Sequence, residues 1–240
     1  MAINTTRLDR LISEFCQINR KKVRLILAQK RVYVDGQLAI DIDQIVDQFS
    51  YVVMDNKVLQ NKTAHYIMLN KPIGVVCATK DEQHKTVLDL LSGQFEQKII
   101  DDLHIVGRLD LNTSGLVLLT NDSRWSERLT APEHKVNKCY QVVLENPLTP
   151  EYIEAFAQGM YFPYEKITTK PVALRIISPF QAIVTLTEGR YHQIKRMFGR
   201  FRNPVINLHR YSIGQLTLDE SLKSGESRVL SQSEVSSIVC

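Results

Sequence analysis

The part of this sequence best equipped for chemistry is a single carboxylate set in a turn, Asp110, within residues 107–122, GRLDLNTSGLVLLTND. Arg108 precedes it, and the small turn residues Asn112, Thr113, Ser114 and Gly115 follow. Leu116, Val117, Leu118 and Leu119 then make an unbroken apolar run with the length and composition of a buried strand. A loop anchored on such a strand is where a scaffold holds a reactive side chain still. An ionised Asp there can attack an electrophilic carbon, stabilise positive charge or remove a proton. The residues alone leave these three routes open.

The surrounding chain reads as the framework for that loop. Residues 66–69 open as a strand, and Asn70-Lys71-Pro72-Ile73-Gly74 is a turn, because Pro presets φ and Gly permits positive φ. Residues 75–79 are expected to resume the sheet, and residues 86–91 and 122–129 to form helices. Residues 140–144 predict a strand, 150–158 a helix, 172–177 and 182–186 paired strands, and 194–200 a basic helix. Strands and helices mix without regular alternation, which predicts an α+β fold on a largely antiparallel sheet.

The N-terminal quarter has its own pattern. Leu8, Leu11, Ile12 and Phe15 share one helical face. Asn19 can cap a second helix whose inner side carries Val23, Ile26 and Leu27, while Arg20, Lys21, Lys22 and Arg24 face outward. Asp35-Gly36 between two short apolar runs predicts a hairpin, and residues 42–46 and 51–54 are expected to complete one small sheet. The expected division is a domain at 1–60, a linker at 61–64 and a second domain at 65–240.

The 240 residues are 44% hydrophobic, enough to bury a sizeable core and to exclude wholesale disorder. No apolar stretch has membrane-spanning length and no signal-peptide pattern opens the chain, so a cytoplasmic protein is expected. Cys16, Cys77, Cys139 and Cys240 lack metal-ligand spacing and are expected to be reduced. The net charge is only +4, but residues 1–40 carry eight Lys or Arg against three acids, and residues 187–210 six against one. Two basic blocks separated by acidic stretches predict two surfaces for a polyanion.

Four motifs in order carry a resemblance: LNKPIGVVCAT, the Asp110 segment, KCYQV, and EGRYHQIKRMFGRF followed by NLHRYSIG. Together they resemble the pseudouridine synthases of the RsuA and RluA type, and the Glu-Gly-Arg-Tyr-His-Gln form is most similar to the RsuA branch. The N-terminal run RLDRLISEFCQINRKKVRLILAQKRVYVDGQLA resembles the S4 RNA-binding domain. The resemblance implies an S4-like helical hairpin and small sheet followed by a catalytic domain with a mixed, largely antiparallel sheet. It implies isomerisation of a uridine to pseudouridine in small-subunit (16S) ribosomal RNA, free or in an assembling 30S particle, by a monomer. No net redox change or group transfer occurs, so no cofactor or metal is expected.

The resemblance also assigns roles. Asp110 is the essential catalytic residue, Tyr140 stacks on the extruded uracil, and Arg190 is the cation expected beside Asp110, where it would lower the carboxyl pKa by roughly 1–3 units. Arg108 is expected to meet the RNA backbone or fill the gap left by the flipped base, and Lys71 to hold a phosphate at the rim. His192, Gln193, Lys195 and Arg196 are expected to offer donors from a helix face, and Leu208 an apolar wall. Arg20, Lys21, Lys22 and Arg24 would contact RNA phosphates. The pair Asp122-Ser123 departs from the family's Asp-Gly, and Arg202-Asn203 from its Gly-Asn, which predicts an altered loop or an added RNA contact. Three rivals remain: a non-catalytic ribosomal RNA-binding or assembly factor, a synthase acting on 23S RNA, and a glycosidic hydrolase, which would want two flanking carboxylates.

Overall fold

The computed structural model describes residues 5–238 and divides into two units, Met1–Ala64 and His65–Cys240. Cys240 lies outside the described residues, while Cys16, Cys77 and Cys139 are free thiols.

In the first unit, strand β1 (Thr5–Arg7) leads into α1 (Leu8–Cys16), and α2 (Arg20–Ala28) follows. The Asn19 side chain accepts from the Lys22 amide and caps α2. Leu8, Ile12, Val23 and Leu27 bury the facing sides of the two helices. Next come β2 (Val32–Val34), β3 (Gln37–Leu38), β4 (Ile45–Asp47), β5 (Val52–Met54) and β6 (Lys57–Gln60). Asp35 and Gly36 both have positive φ, 51° and 78°, as a tight two-residue hairpin turn requires. The expected single sheet is in fact two: β3-β2-β5-β6, and a separate pair of β4 with β1. The reason is Leu8: its amide bonds the Gln44 carbonyl, so the chain entering α1 captures the 45–47 segment.

The second unit is built on one nine-stranded sheet. Its strands are β7 (Tyr66–Lys71), β8 (His104–Val106), β9 (Ser114–Thr120), β10 (Lys138–Leu144), β13 (Ala173–Ser178), β14 (Gln181–Leu186), β15 (Val205–Ile213), β16 (Leu216–Thr217) and β17 (Ser227–Val229), and a separate hairpin pairs β11 (Tyr161–Phe162) with β12 (Ile167–Thr168). The order is β13-β14-β10-β15-β9-β7-β17, with β8 on β9 and β16 on β15. All pairs are antiparallel except β15 with β9, which run parallel over His209↔Ser114 and Arg210↔Gly115. The helices are α3 (Gln97–Asp102), α4 (Ser123–Thr130), α5 (Glu151–Gln158), α6 (Gln193–Gly199) and α7 (Gln232–Ser237). One core, including Ile67, Leu69, Val117, Val142, Val184 and Phe198, lies on one face of the sheet. A second cluster, centred on Trp125, Leu118 and Ile213, lies on the other.

Residues 75–79 do not resume the sheet. Val75 and Cys77 are buried as loop side chains, and Val76 makes an isolated bridge to Thr86. The apolar pattern here reflected burial under the sheet, which any backbone shape can satisfy. The 86–91 helix shortens to a single 3₁₀ turn at Asp89–Leu91, entered by reciprocal bonds between Thr86 and Asp89. At Asp122-Ser123, the Asp122 carboxylate caps α4 by accepting from the Arg124 and Trp125 amides. Arg202 adopts positive φ, 52°, so the loop keeps a left-handed residue even without glycine, at a cost of about 1–2 kcal/mol. Asn203 beside it is buried and bonds Asn146 and the Tyr152 hydroxyl, which holds the turn.

The C-terminal helix is clasped by ions. Arg228 reaches Asp219 at 2.6 Å and Glu234 at 2.7 Å. Hydrogen bonds from Ser221 and Arg228 hold Asp219 down at about 2, and Arg228 holds Glu234 down at about 2 against ordinary values of 3.8 and 4.5. Both groups are depressed on folding, so their stabilisation is complete above pH 4.5 and is lost as pH falls toward 2. The melting-temperature gap between wild type and Arg228→Ala should therefore narrow across that interval in an acid titration followed by circular dichroism. A constant gap would exclude the clasp as its source.

Candidate active site

Asp110 lies on a cavity of about 510 Å³ lined by Cys77, Arg108, Tyr140, Arg190, His192 and Leu208, among others. That size falls within the range of about 300–1,000 Å³ typical of small-ligand sites. Three segments converge there: the loop before β9 brings Arg108 and Asp110, β10 brings Tyr140, and the turn into α6 brings Arg190 and His192. Leu208 on β15 is buried and forms part of the wall, and Tyr140 is buried with it. Arg108 is exposed at the lining, and Lys195 also lines the cavity.

The loop is tied from beneath. The Thr113 amide donates to the Asp110 carbonyl at 3.1 Å, closing the turn, and the Gly74 amide donates to the Leu111 carbonyl at 2.9 Å. The Leu109 amide donates to Cys77 Sγ at 3.3 Å, and burial pushes that thiol's pKa up. Gly115 has φ 106°, and a Cβ there would collide with the Arg210 backbone. Glycine at this position therefore lets β15 lie against β9 beside the loop.

Several expected contacts are arranged differently. Arg190 does not pair with Asp110; its Nε meets Glu188 at 3.1 Å. Gln193 explains this: its amide donates to Glu188 at 2.8 Å and its carbonyl accepts from the Arg190 amide at 3.1 Å, fixing the acid beside the arginine. Gln193 is thereby buried, and one of its two amide N–H donors is committed to Glu188, although the residue still lines the cavity. Among the described residues, the side chain that meets the Asp110 carboxylate is His192, whose Nε2 lies 3.5 Å away. His192 stands at the N-terminal boundary of α6 with φ 48° and stacks on Tyr191 with ring centroids 3.9 Å apart.

Lys71 is not at the rim. It is 0% exposed, and its Nζ donates to the Pro72 and Thr113 carbonyls, each at 2.8 Å. Burial pushes its pKa down to about 8. Arg196 is paired with Glu165 and lies over the Phe162 ring, 3.8 Å from its centroid, so it fastens the β11–β12 hairpin to α6. In the other unit, Arg20 pairs with buried Asp9, which Arg7 also contacts. Burial works against that carboxylate, but the two guanidiniums outweigh it and hold its pKa low. Lys21, Lys22 and Arg24 are exposed on α2.

Arg210 was absent from the expected site. It is 1% exposed and reaches under the Asp110 loop. A signal existed: Leu208, Arg210 and Ser212 alternate inward on β15, and an arginine at an inward register needs buried acceptors.

A family model described as RNA pseudouridylate synthase matches residues 65–199, more than half of the chain. The ribosomal small subunit pseudouridine synthase A of Pseudomonas aeruginosa is 46% identical over 233 residues, covering 97% of this chain and 100% of its own length. The protein of the same name from Escherichia coli K12 is 41% identical over 234 residues, with 97% and 100% coverage. A crystal structure of a pseudouridylate synthase superposes with a TM-score of 0.69 at 38% identity, covering 97% of this chain and 99% of that one.

Proposed function

The chain belongs to the RNA pseudouridylate synthase family, and on that premise we propose that it isomerises a uridine of small-subunit ribosomal RNA, with Asp110 as the catalytic residue. The observation that carries this reading is Asp110 itself, on a cavity shared with Tyr140, Leu208 and His192. In the reaction the C1′–N1 bond breaks, the uracil turns, and C1′ bonds to C5. The C5 proton departs and N1 gains one, so atoms and electrons balance without a co-reactant. Neither C1′ nor the base face is reachable in a paired stack, so the nucleotide must swing into the cavity.

Tyr140 and Leu208 supply a flat and an apolar wall for a pyrimidine. Arg108 and Lys195 bring positive charge to the opening, where phosphates can offset an unstacking cost of a few kcal/mol. His192 places its Nε2 3.5 Å from the Asp110 carboxylate. Arg190 is two residues from His192 and is held by Glu188. Among the described residues no helix is long and apolar enough to cross a membrane.

Two experiments test the reading. Mapping pseudouridines in ribosomal RNA with and without the protein should show one small-subunit site that disappears in its absence. Release of tritium from C5-labelled uridine separates an isomerase from a passive RNA binder, and an abasic product would mark a hydrolase. The first unit, an S4-like module in this reading, positions RNA through Lys21, Lys22 and Arg24. Deleting residues 1–60 should weaken substrate RNA binding while circular dichroism of residues 65–240 stays folded. A salt titration giving the same slope with and without the segment would remove it from the RNA contact.

A further inference from the structure

We propose that Arg210 is a positioning residue that locks the Asp110 loop and Tyr140 in register. This inference rests on the pseudouridine synthase reading of the site. Arg210 Nε donates to the Leu116 carbonyl at 2.9 Å and Nη2 to the Gly107 carbonyl at 2.5 Å. Nη1 lies 3.4 Å from the Arg108 carbonyl and 3.5 Å from the Tyr140 hydroxyl. One side chain thus touches the stem of the catalytic loop on both sides of Asp110 and also the facing tyrosine.

The sheet explains how it can. Arg210 stands opposite Tyr140 on β10 and opposite Gly115 on β9, at the short parallel junction of an otherwise antiparallel sheet. None of its acceptors is a carboxylate. Charge-assisted bonds from a planar, rigid fork to carbonyls are strong and directional. A buried guanidinium without a counter-ion is costly to keep for stability alone, since apolar packing serves that purpose more cheaply. What the fork supplies is angular control of the Gly107 and Arg108 peptides, and through them of the carboxylate two residues on. Lysine cannot reproduce this, because an ammonium lacks the fork.

The test compares Arg210→Lys, Arg210→Gln and Arg210→Ala with wild type and Asp110→Asn. Single-turnover tritium release, RNA affinity, thermal stability and amide exchange are measured for each. Displacement of a reacting group by about 1 Å costs on the order of 10²-fold in rate. The expected result is a loss of that size in all three Arg210 variants, with RNA affinity unchanged. Exchange should quicken at Leu109 and Thr113 while strands β10 and β14 remain protected. Free guanidinium, kept below denaturing concentration, should restore part of the Arg210→Ala rate, and ammonium should not.

Near-wild-type rates in folded variants overturn the proposal. So does rate, affinity and melting temperature falling together, or insolubility of all three variants, since each assigns the guanidinium to the fold as a whole. Wild-type protein that releases no tritium refutes the isomerase reading instead. The exchange pattern still decides the Arg210 role in that case.

Discussion

Asp110→Asn reduces tritium release by about 10³-fold or more and leaves RNA affinity essentially unchanged. The amide keeps the shape of the carboxylate but loses its charge, and with it the capacity to attack C1′, stabilise positive charge there or accept a proton. The loop has little reason to move, because its supports lie elsewhere. Lys71 holds the Thr113 carbonyl, Gly74 the Leu111 carbonyl, and Arg210 the Gly107 carbonyl. The cavity-lining cations Arg108 and Lys195 are untouched. Burst-type single-turnover measurements alongside filter binding separate the two quantities. Turnover equal to wild type would refute the assignment of Asp110, and lost affinity would show that its charge serves the complex and not the chemistry.

Lys71→Met unlatches the same loop from below. The thioether fills the aliphatic space but donates nothing to the Pro72 and Thr113 carbonyls. Each buried acceptor left alone costs about 1–3 kcal/mol. The catalytic loop carries the local part of that loss, so the rate should fall by about 10²-fold even where the fold survives. Removing a rim phosphate ligand would instead weaken RNA binding and flatten its salt dependence. The two roles therefore give opposite splits between rate and affinity.

The pH dependence sharpens this test. Burial lowers the Lys71 pKa to about 8 from an ordinary 10.5, so between those values the unfolded chain holds a proton that the folded chain has released. Stability then rises with pH across that interval, and the contribution is level below about 8, where both states hold the proton. A neutral amine still has two N–H donors for its two carbonyls. The stability gap between wild type and Lys71→Met should consequently widen from pH 8 toward 10.5 in denaturant titrations. A gap that narrows would mean that the ammonium charge, and not the pair of hydrogen bonds, is what the site requires.

The Asp110 loop and its strand were legible in the chain because both are local. Asn112 to Gly115 must turn, Leu116 to Leu119 must be buried, and the 181–186 strand alternates with period two. Asp35-Gly36 declared its hairpin for the same reason: two adjacent residues at positive φ admit few side chains. Residues 75–79 misled because an apolar run records burial and not backbone shape. The strand pairing of residues 45–47 with Thr5–Arg7 could not be read either, since it depends on where a distant segment enters a helix.

Charge is where tertiary structure overruled residue type. Lys71, Gln193, Arg196 and Arg20 read as donors to RNA and Arg190 as the partner of Asp110, and each is engaged elsewhere within the protein. A cation's role is set by whichever acceptor arrives within hydrogen-bond distance, and those acceptors come from 1 to 42 positions away. The chain by itself determined that one carboxylate stands in a turn that a buried strand must hold. Only the folded sheet decided which cations serve that carboxylate and which hold its loop, because that choice depends on β15 lying beside β9 and β10, a juxtaposition no local pattern encodes.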